Sequence, residues 1–286
     1  MAQPFGKKWS VRTFDPHSRE PFKVSRSKID MFMSCPRCFY LEARLGVKRP
    51  SMPSFTLNNA VDTLLKKEFD IYRARQTAHP LLASYGVSAI PFAHPDLDVW
   101  RHNFTGVQCH DTETNLLVFG AVDDIWQAPD GVLHVVDYKA TSKDAPVTRL
   151  DDTQWHDQYR RQMEVYQWLL RRNGHRVSDT GYFVYVNGKK DLQAFDAKLE
   201  FSVALIPYKG SDAWVDGVLR SIKECLVSPV APVGKDSCEF CEYRTKAGKA
   251  LQLNLSAQKK EPTATPPTTQ KKKSSKASPD ALPKLF

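Results

Sequence analysis

Two apolar runs carry charge at positions where a buried strand rarely tolerates it. Asp123 and Asp124 interrupt VFGAVDDIW, and Asp137 and Lys139 interrupt VLHVVDYKA. Such charges are costly to bury unless they are paired or bound to a metal. Asp137 and Lys139 stand two apart, so they face one side of a strand. If the two runs form a hairpin around Ala-Pro-Asp-Gly, Asp123 or Asp124 comes up to Asp137 on the neighbouring strand. Two carboxylates held close repel each other without a cation, and together they make an oxygen site suited to Mg2+ or Mn2+. A lysine beside such an ion can orient an attacking water and stabilise charge developing on a phosphate. An ordinary Asp–Lys pair at a sheet edge explains a lone D-x-K triplet; the second acid next door points to a metal site.

Four of the six cysteines form a second constellation, Cys35 with Cys38 and Cys238 with Cys241. Two C-x-x-C pairs can complete one tetrahedral thiolate site, here a staple between distant parts of the chain. Zn2+ and a 4Fe-4S cluster both accept four cysteines, and the spacing leaves the two open. Cys109 and Cys225 read as unpaired thiols, and six cysteines are too few for a disulfide scaffold.

The elements that position these residues follow from periodicity. Ser27 to Leu45 has helical spacing interrupted by CPRC, with Pro36 suited to the first turn of a second short helix. A helix over Phe55 to Tyr72 has Leu57, Val61, Leu64, Leu65, Phe69 and Tyr72 on one face. No strong strand pattern precedes residue 116, after which the two charged runs read as a hairpin. Thr153 to Arg172 is a crossover helix with Trp155, Tyr159, Tyr166, Leu169 and Leu170 inward and Gly174 at its C-terminal cap. Gln162 and Tyr166 are four apart and share a face of it. Strands to about Ile206 and a helix over Ser211 to Leu226 follow. This order predicts one α/β domain with a mixed sheet.

Of the 286 residues, 41 are Lys or Arg and 32 are Asp or Glu, a net charge of +9, with 41% hydrophobic and 26% charged residues. With a mean hydropathy of -0.46, this excludes a membrane protein, a collagen-like fibre and wholesale disorder. MAQPFGKKWSVRTFD lacks an apolar stretch after its basic residues, so a cytoplasmic location is expected. Residues 256–286 hold seven lysines against Glu261 and Asp280, and five prolines, so they read as a disordered basic tail carrying five of the nine charges. The expected organisation is an irregular segment over 1–24, a folded body over 25–255 and the tail over 256–286.

Five pieces in order carry a resemblance: SRSKIDMFMSCPRCFYLEARLG, GAVDDIW, VVDYKAT, QMEVY and CEFCEYR, together spanning Ser25 to Arg244. The sequence resembles the PD-(D/E)XK nuclease superfamily, in its RecB-like branch. That branch includes nuclease domains of bacterial recombination helicases and CRISPR-associated exonucleases. The resemblance implies a restriction-endonuclease-like α/β core with a mixed central sheet flanked by helices. It implies that Asp123, the aspartate of G-x-x-D, and Asp137 bind Mg2+ or Mn2+, leaving Asp124 as the less favoured ligand. Lys139 would be the catalytic lysine, with Gln162 and Tyr166 facing the site. The family's earlier G-x-x-x-H helix corresponds to NNAVDTLL, with Asn58 at the glycine and Asp62 at the histidine, so Asp62 is a candidate third ligand. Relatives with a 4Fe-4S cluster take one cysteine from the N-terminal segment and three from the C-terminal one; two and two stand here, and Zn2+ is the alternative.

The implied activity is hydrolysis of DNA phosphodiesters, by an exonuclease acting on single-stranded ends in repair or recombination. Arg160, Arg161, Arg171 and Arg172 are candidates for backbone contacts, or else form a solvated face paired with Asp157 or Glu164. A helicase, a CRISPR system or, through the terminal ALPKLF, a sliding clamp are the partners considered. The competing reading is a noncatalytic, metal-stabilised nucleic-acid-binding or scaffolding module that keeps the nuclease fold.

Overall fold

The structure, a computed structural model, describes residues 12–50 and 55–258. Strand β1 (Phe22–Ser25) alternates buried and half-buried residues and runs into α1 (Arg26–Ser34), which Ser25 caps by accepting from Lys28 N. Pro36 stands in the first turn of α2 (Pro36–Ala43), where its missing N–H is not needed, so CPRC divides one helical run into two. α3 (Thr56–Arg75), α4 (Pro80–Ser84), β2 (Ile90–Pro91) and α5 (Leu97–Arg101) lead to β3 (Val107–Asp111), β4 (Leu116–Gly120), β5 (Asp124–Gln127) and β6 (Leu133–Thr141). α6 (Gln154–Arg172), capped by Thr153, connects β6 to β7 (Thr180–Gly188); β8 (Phe201–Lys209), α7 (Val215–Val227) and α8 (Glu239–Gln258) complete the described chain.

Two mixed sheets result. The central one has the order β2-β5-β6-β7-β8 and the smaller one β1-β4-β3. Within the central sheet β6 and β7 are parallel, which requires a long connection between them, and α6 supplies it. α6 packs against strands of both sheets and buries Met163, Val165, Leu169 and Leu170. On the other face of the central sheet, α3 sets Phe69 against Trp126, with ring centroids 5.4 Å apart. The architecture is α/β, with a mixed central sheet flanked by helices.

Several expectations need correcting. VFGAVDDIW is not one strand: β4 and β5 belong to different sheets, and the chain passes from one to the other at Ala121 to Asp123. Strands precede residue 116 after all, but β1, β2 and β3 have five residues or fewer, too short to show a period. Leu57 and Leu64 of α3 and Trp155 of α6 are exposed rather than inward. The segment before residue 25 is not all irregular, since Phe14 and Phe22 are core residues in edge-to-face contact. α8 continues to Gln258, past the expected boundary at 255; the tail from 259 onward and residues 1–11 lie outside the described residues. Contacts divide the chain into Met1–Glu242 and Tyr243–Phe286, and Asp62, Asp123, Asp137, Lys139 and the four C-x-x-C cysteines all belong to the first unit.

Candidate functional site

The register of the β5–β6 hairpin builds the site. Asp124 pairs with Val136, so Asp123, the residue before β5, comes opposite Asp137 at the break between the two sheets. Asp123 Oδ2 accepts from Tyr138 N at 3.0 Å, and its Oδ1 accepts from Lys66 Nζ at 3.2 Å. Asp137 is fully buried; its Oδ1 accepts from Gln162 Nε2 at 2.7 Å, and its Oδ2 forms an ion pair with Lys139 that lacks hydrogen-bond alignment. Lys139 Nζ also donates to Gln162 Oε1 at 3.3 Å and lies 4.6 Å from the centre of the Tyr159 ring. Gln162 Nε2 in turn lies 3.2 Å from Tyr166 Oη. Helix periodicity and strand alternation therefore bring Asp123, Asp137, Lys139, Gln162 and Tyr166 to one place.

Glycine has a mechanical role in this assembly. A Cβ on Gly120 would stand 2.6 Å from Cε1 of Tyr166, closer than real side chains approach. Only glycine lets the Tyr166 ring lie against the end of β4, which is a physical reason for glycine to stand three residues before Asp123.

The electrostatics follow from burial and crowding. Burial raises the Asp137 carboxyl to about 7; Lys139 opposes the rise and the nearby Asp123 adds to it. Burial pushes Asp123 the same way, but Lys66, Lys139 and the Tyr138 amide more than offset it, so Asp123 stays below the usual carboxylate value. Burial disfavours the charge on Lys139, yet Asp137 and Asp123 hold it above the ordinary lysine value. Two carboxylates, with Asp137 Oδ2 met only by the Lys139 ammonium, form a hard donor set that fits a divalent cation.

Asp62 stands further off. It lines the same pocket, but among the described residues no three carboxylates bring oxygens within 4.8 Å of one another. Lys66 bridges the gap, with Nζ 2.8 Å from Asp62 Oδ2 and 3.2 Å from Asp123 Oδ1. Lys66 was not among the residues expected from the sequence; its signal was its position four residues after Asp62, on the same face of α3. Arg26 was not expected either; it lines the pocket from the start of α1, and its charge is held by Tyr166, Asp137 and Asp30 against the cost of burial.

Asp124 has a different role. It is fully buried and accepts from Arg73, from Arg101 Nη2 at 2.9 Å and from Tyr138 Oη at 2.7 Å. This network ties α3 and α5 to the sheet. Arg101 also donates from Nε to the Asp123 backbone oxygen at 3.0 Å and so fixes the turn that presents Asp123.

The four cysteines meet where α1 gives way to α2 and where α8 begins. Sγ of Cys35 lies 3.6 Å from that of Cys241, and Sγ of Cys38 lies 3.6 Å from those of Cys238 and Cys241. All four lie within 4.8 Å of one another and are buried, a geometry able to coordinate a metal. Burial and the neighbouring thiols raise Cys241, whereas donors that include the Cys38 and Lys235 amides outweigh burial at Cys35 and lower it to about 6.

The arginines of α6 are engaged in ion pairs. Arg160 pairs with Asp157 at 2.7 Å and Arg161 with Asp30 at 2.7 Å, while Arg171 meets Asp179 and Asp212, and Arg172 meets Asp216. Glu164 pairs with none of them; it accepts from Tyr208 Oη at 2.6 Å and Trp214 Nε1 at 2.7 Å.

Residues 57–245, well over half the chain, match the family described as the PD-(D/E)XK nuclease superfamily. The match contains Asp62, Asp123, Asp137, Lys139, Gln162 and Tyr166, and the second cysteine pair but not the first. No curated protein matches the chain. Among the described residues, no helix is long and apolar enough to cross a membrane.

Proposed function

The chain belongs to the PD-(D/E)XK nuclease superfamily, and from that premise we propose that it is a metal-dependent nuclease that hydrolyses DNA phosphodiester bonds. One observation carries the reading: Asp123, Lys139 and Gln162 line one pocket, and the buried Asp137 stands directly behind them, held by Gln162 and Lys139. A fold kept only for packing has little reason to bury an acid pair whose repulsion must be offset by two lysines.

Asp123 and Asp137 would hold Mg2+ or Mn2+, with Asp62 as a more distant ligand. The ion would lower the pKa of a bound water and neutralise charge on the phosphoryl oxygens. Lys139, fixed between Asp137, Gln162 and the Tyr159 ring, would direct the water and meet the developing negative charge. Gln162 would hold Asp137 and Lys139 in register, and Tyr166, packed on Gly120, would hold Gln162. Arg160 and Arg161 would contact the DNA backbone only by exchanging their present acidic partners for phosphate.

The finer assignments rest on the motif order. The five motifs in order, with cysteines at both ends of the body, support the RecB-like branch although their two-and-two division departs from its usual one and three, and with it an exonuclease acting on single-stranded ends in repair or recombination. A helicase and a CRISPR system follow from that branch as candidate partners, and a sliding clamp from the terminal ALPKLF. For the cysteine site, the sulfur spacing favours a single tetrahedral ion such as Zn2+. Zn–S bonds of about 2.3 Å place tetrahedral sulfurs about 3.8 Å apart, near the 3.6 Å seen here. A 4Fe-4S cluster binds each thiolate to a different iron and spreads the sulfurs further apart.

The second reading is a noncatalytic, metal-stabilised nucleic-acid-binding module. It asks for no more than the superfamily fold and the four-cysteine site, and the Lys66 bridge between Asp62 and Asp123 favours it, because a protein cation already balances those acids. A cleavage assay on single-stranded and duplex DNA with Mg2+ or Mn2+ separates the two. Cleavage abolished by chelation supports the nuclease, and binding without cleavage supports the module.

A further inference from the structure

Lys66 lines the pocket beside the acids, and the proposed chemistry leaves it unused. Its ammonium, on a side chain 22% exposed, spans Asp62 Oδ2 at 2.8 Å and Asp123 Oδ1 at 3.2 Å. Neither contact is a loose surface pair, because Asp62 and Asp123 expose only 32% and 22% of their side chains. Both oxygens of Asp123 already accept, Oδ2 from the Tyr138 amide and Oδ1 from Lys66, and only the donor on Oδ1 carries a charge that repels a cation. A divalent ion that binds Asp123 through Oδ1 therefore competes for the oxygen that Lys66 holds. An ion that recruits Asp62 competes for the other contact as well.

We propose that Lys66 is a tethered cation that competes with the divalent ion, so that metal binds only when the ammonium swings off the two acids. The inference rests on the reading of Asp123 and Asp137 as the divalent-ion site. Once displaced, the ammonium stays at the rim of the pocket, one flexible side chain from its former partners, where a substrate phosphate is its natural next anion. Metal and nucleic acid then assist each other: the ion frees Lys66, and phosphate keeps it from returning. Such coupling is reciprocal in the binding free energies.

The test is direct titration of Mn2+ into the full chain, followed by calorimetry or by the loss of the free-ion resonance. Manganese is a hard ion, which directs it to carboxylates rather than to the thiolates. Lys66→Met and Lys66→Gln remove the competing charge and are expected to bind Mn2+ tighter than the wild type, by about tenfold or more. Lys66→Arg keeps the charge and is expected to stay near wild type. Circular dichroism checks that each variant is folded, and Lys66→Gln, which can still donate to Asp62, guards against collapse of the methionine variant. Mn2+ affinity unchanged or weakened in the two neutral variants while the wild type binds would overturn the role of Lys66 and leave the acidic site standing. No Mn2+ binding by any of the four proteins would overturn both.

Discussion

Gln162 donates to Asp137 Oδ1 across 2.7 Å while its own oxygen accepts from Lys139 at 3.3 Å, so a single amide on α6 locks the acid and the lysine of β6 together. A neutral amide suits this place because it donates on one side and accepts on the other. A carboxylate would set a like charge against Asp137, and an aliphatic side chain would do neither task.

Replacing Gln162 should therefore damage the chemistry more than the fold. Gln162→Leu and Gln162→Glu are expected to lower kcat on the order of 100-fold, with little change in KM, because the groups are misplaced rather than lost. Steady-state cleavage kinetics check this, and an equal rise in KM with kcat unchanged would argue for a binding role instead.

The neighbouring aspartates should separate cleanly. Asp124→Ala takes the buried acid from Arg73 and Arg101 and leaves them the more exposed Asp70 alone, and should cost up to about 3 kcal/mol of stability. Asp123→Ala removes one of two crowded acids and should leave the fold nearly as stable while abolishing Mn2+ binding. Urea unfolding of the two variants provides the comparison, and an Asp123 variant as unstable as the Asp124 one would show that its carboxylate serves packing.

Much of this site was legible in the chain because its signals are local. Asp137 and Lys139 show their common face by strand alternation, Gln162 and Tyr166 theirs by helix spacing, and the Ala-Pro-Asp-Gly turn sets the register that brings Asp123 to Asp137. What was missed depends on packing between distant segments. The split of VFGAVDDIW between two sheets is invisible to periodicity, since both halves are apolar. The exposure of Leu57, Leu64 and Trp155 has the same origin, because a pattern shows which residues share a face but not whether another element covers it. Asp124 looked like a lesser copy of Asp123, and its partners Arg73 and Arg101 stand 51 and 23 residues away. Lys66 was hidden by its ordinary place on an amphipathic helix.

Asp137 should leave a mark on the pH dependence of stability. Its carboxyl is raised by burial to about 7 from an ordinary value of 3.8, so between these values the folded chain keeps a proton that the unfolded chain has released. The group's stabilising contribution is then complete below about 3.8 and is lost as pH rises through about 7. Asp137→Asn cannot titrate, so its stability should fall less steeply than that of the wild type over this range. Thermal midpoints measured without added divalent metal test this, and parallel profiles for the two proteins would contradict it.

Removing a thiolate from the four-cysteine site should loosen the fold there. Cys38→Ser or Cys241→Ser is expected to lose bound metal and to lower the thermal midpoint, since the site joins the start of α2 to the start of α8. Metal analysis of protein purified without oxygen should find about one zinc per chain and no visible absorption. Iron with a visible band would replace the single-ion reading with the cluster.

The central claim, that the acids and lysine of the β5–β6 hairpin cut DNA, is tested most directly by comparing the wild type with Lys139→Ala in one cleavage assay with Mn2+. The expected result is cleavage by the wild type that a chelator stops, and loss of cleavage by at least about 100-fold in the variant, with its circular dichroism and Mn2+ binding retained. Undiminished cleavage by Lys139→Ala, or no cleavage of single-stranded or duplex DNA by the wild type, would contradict the claim.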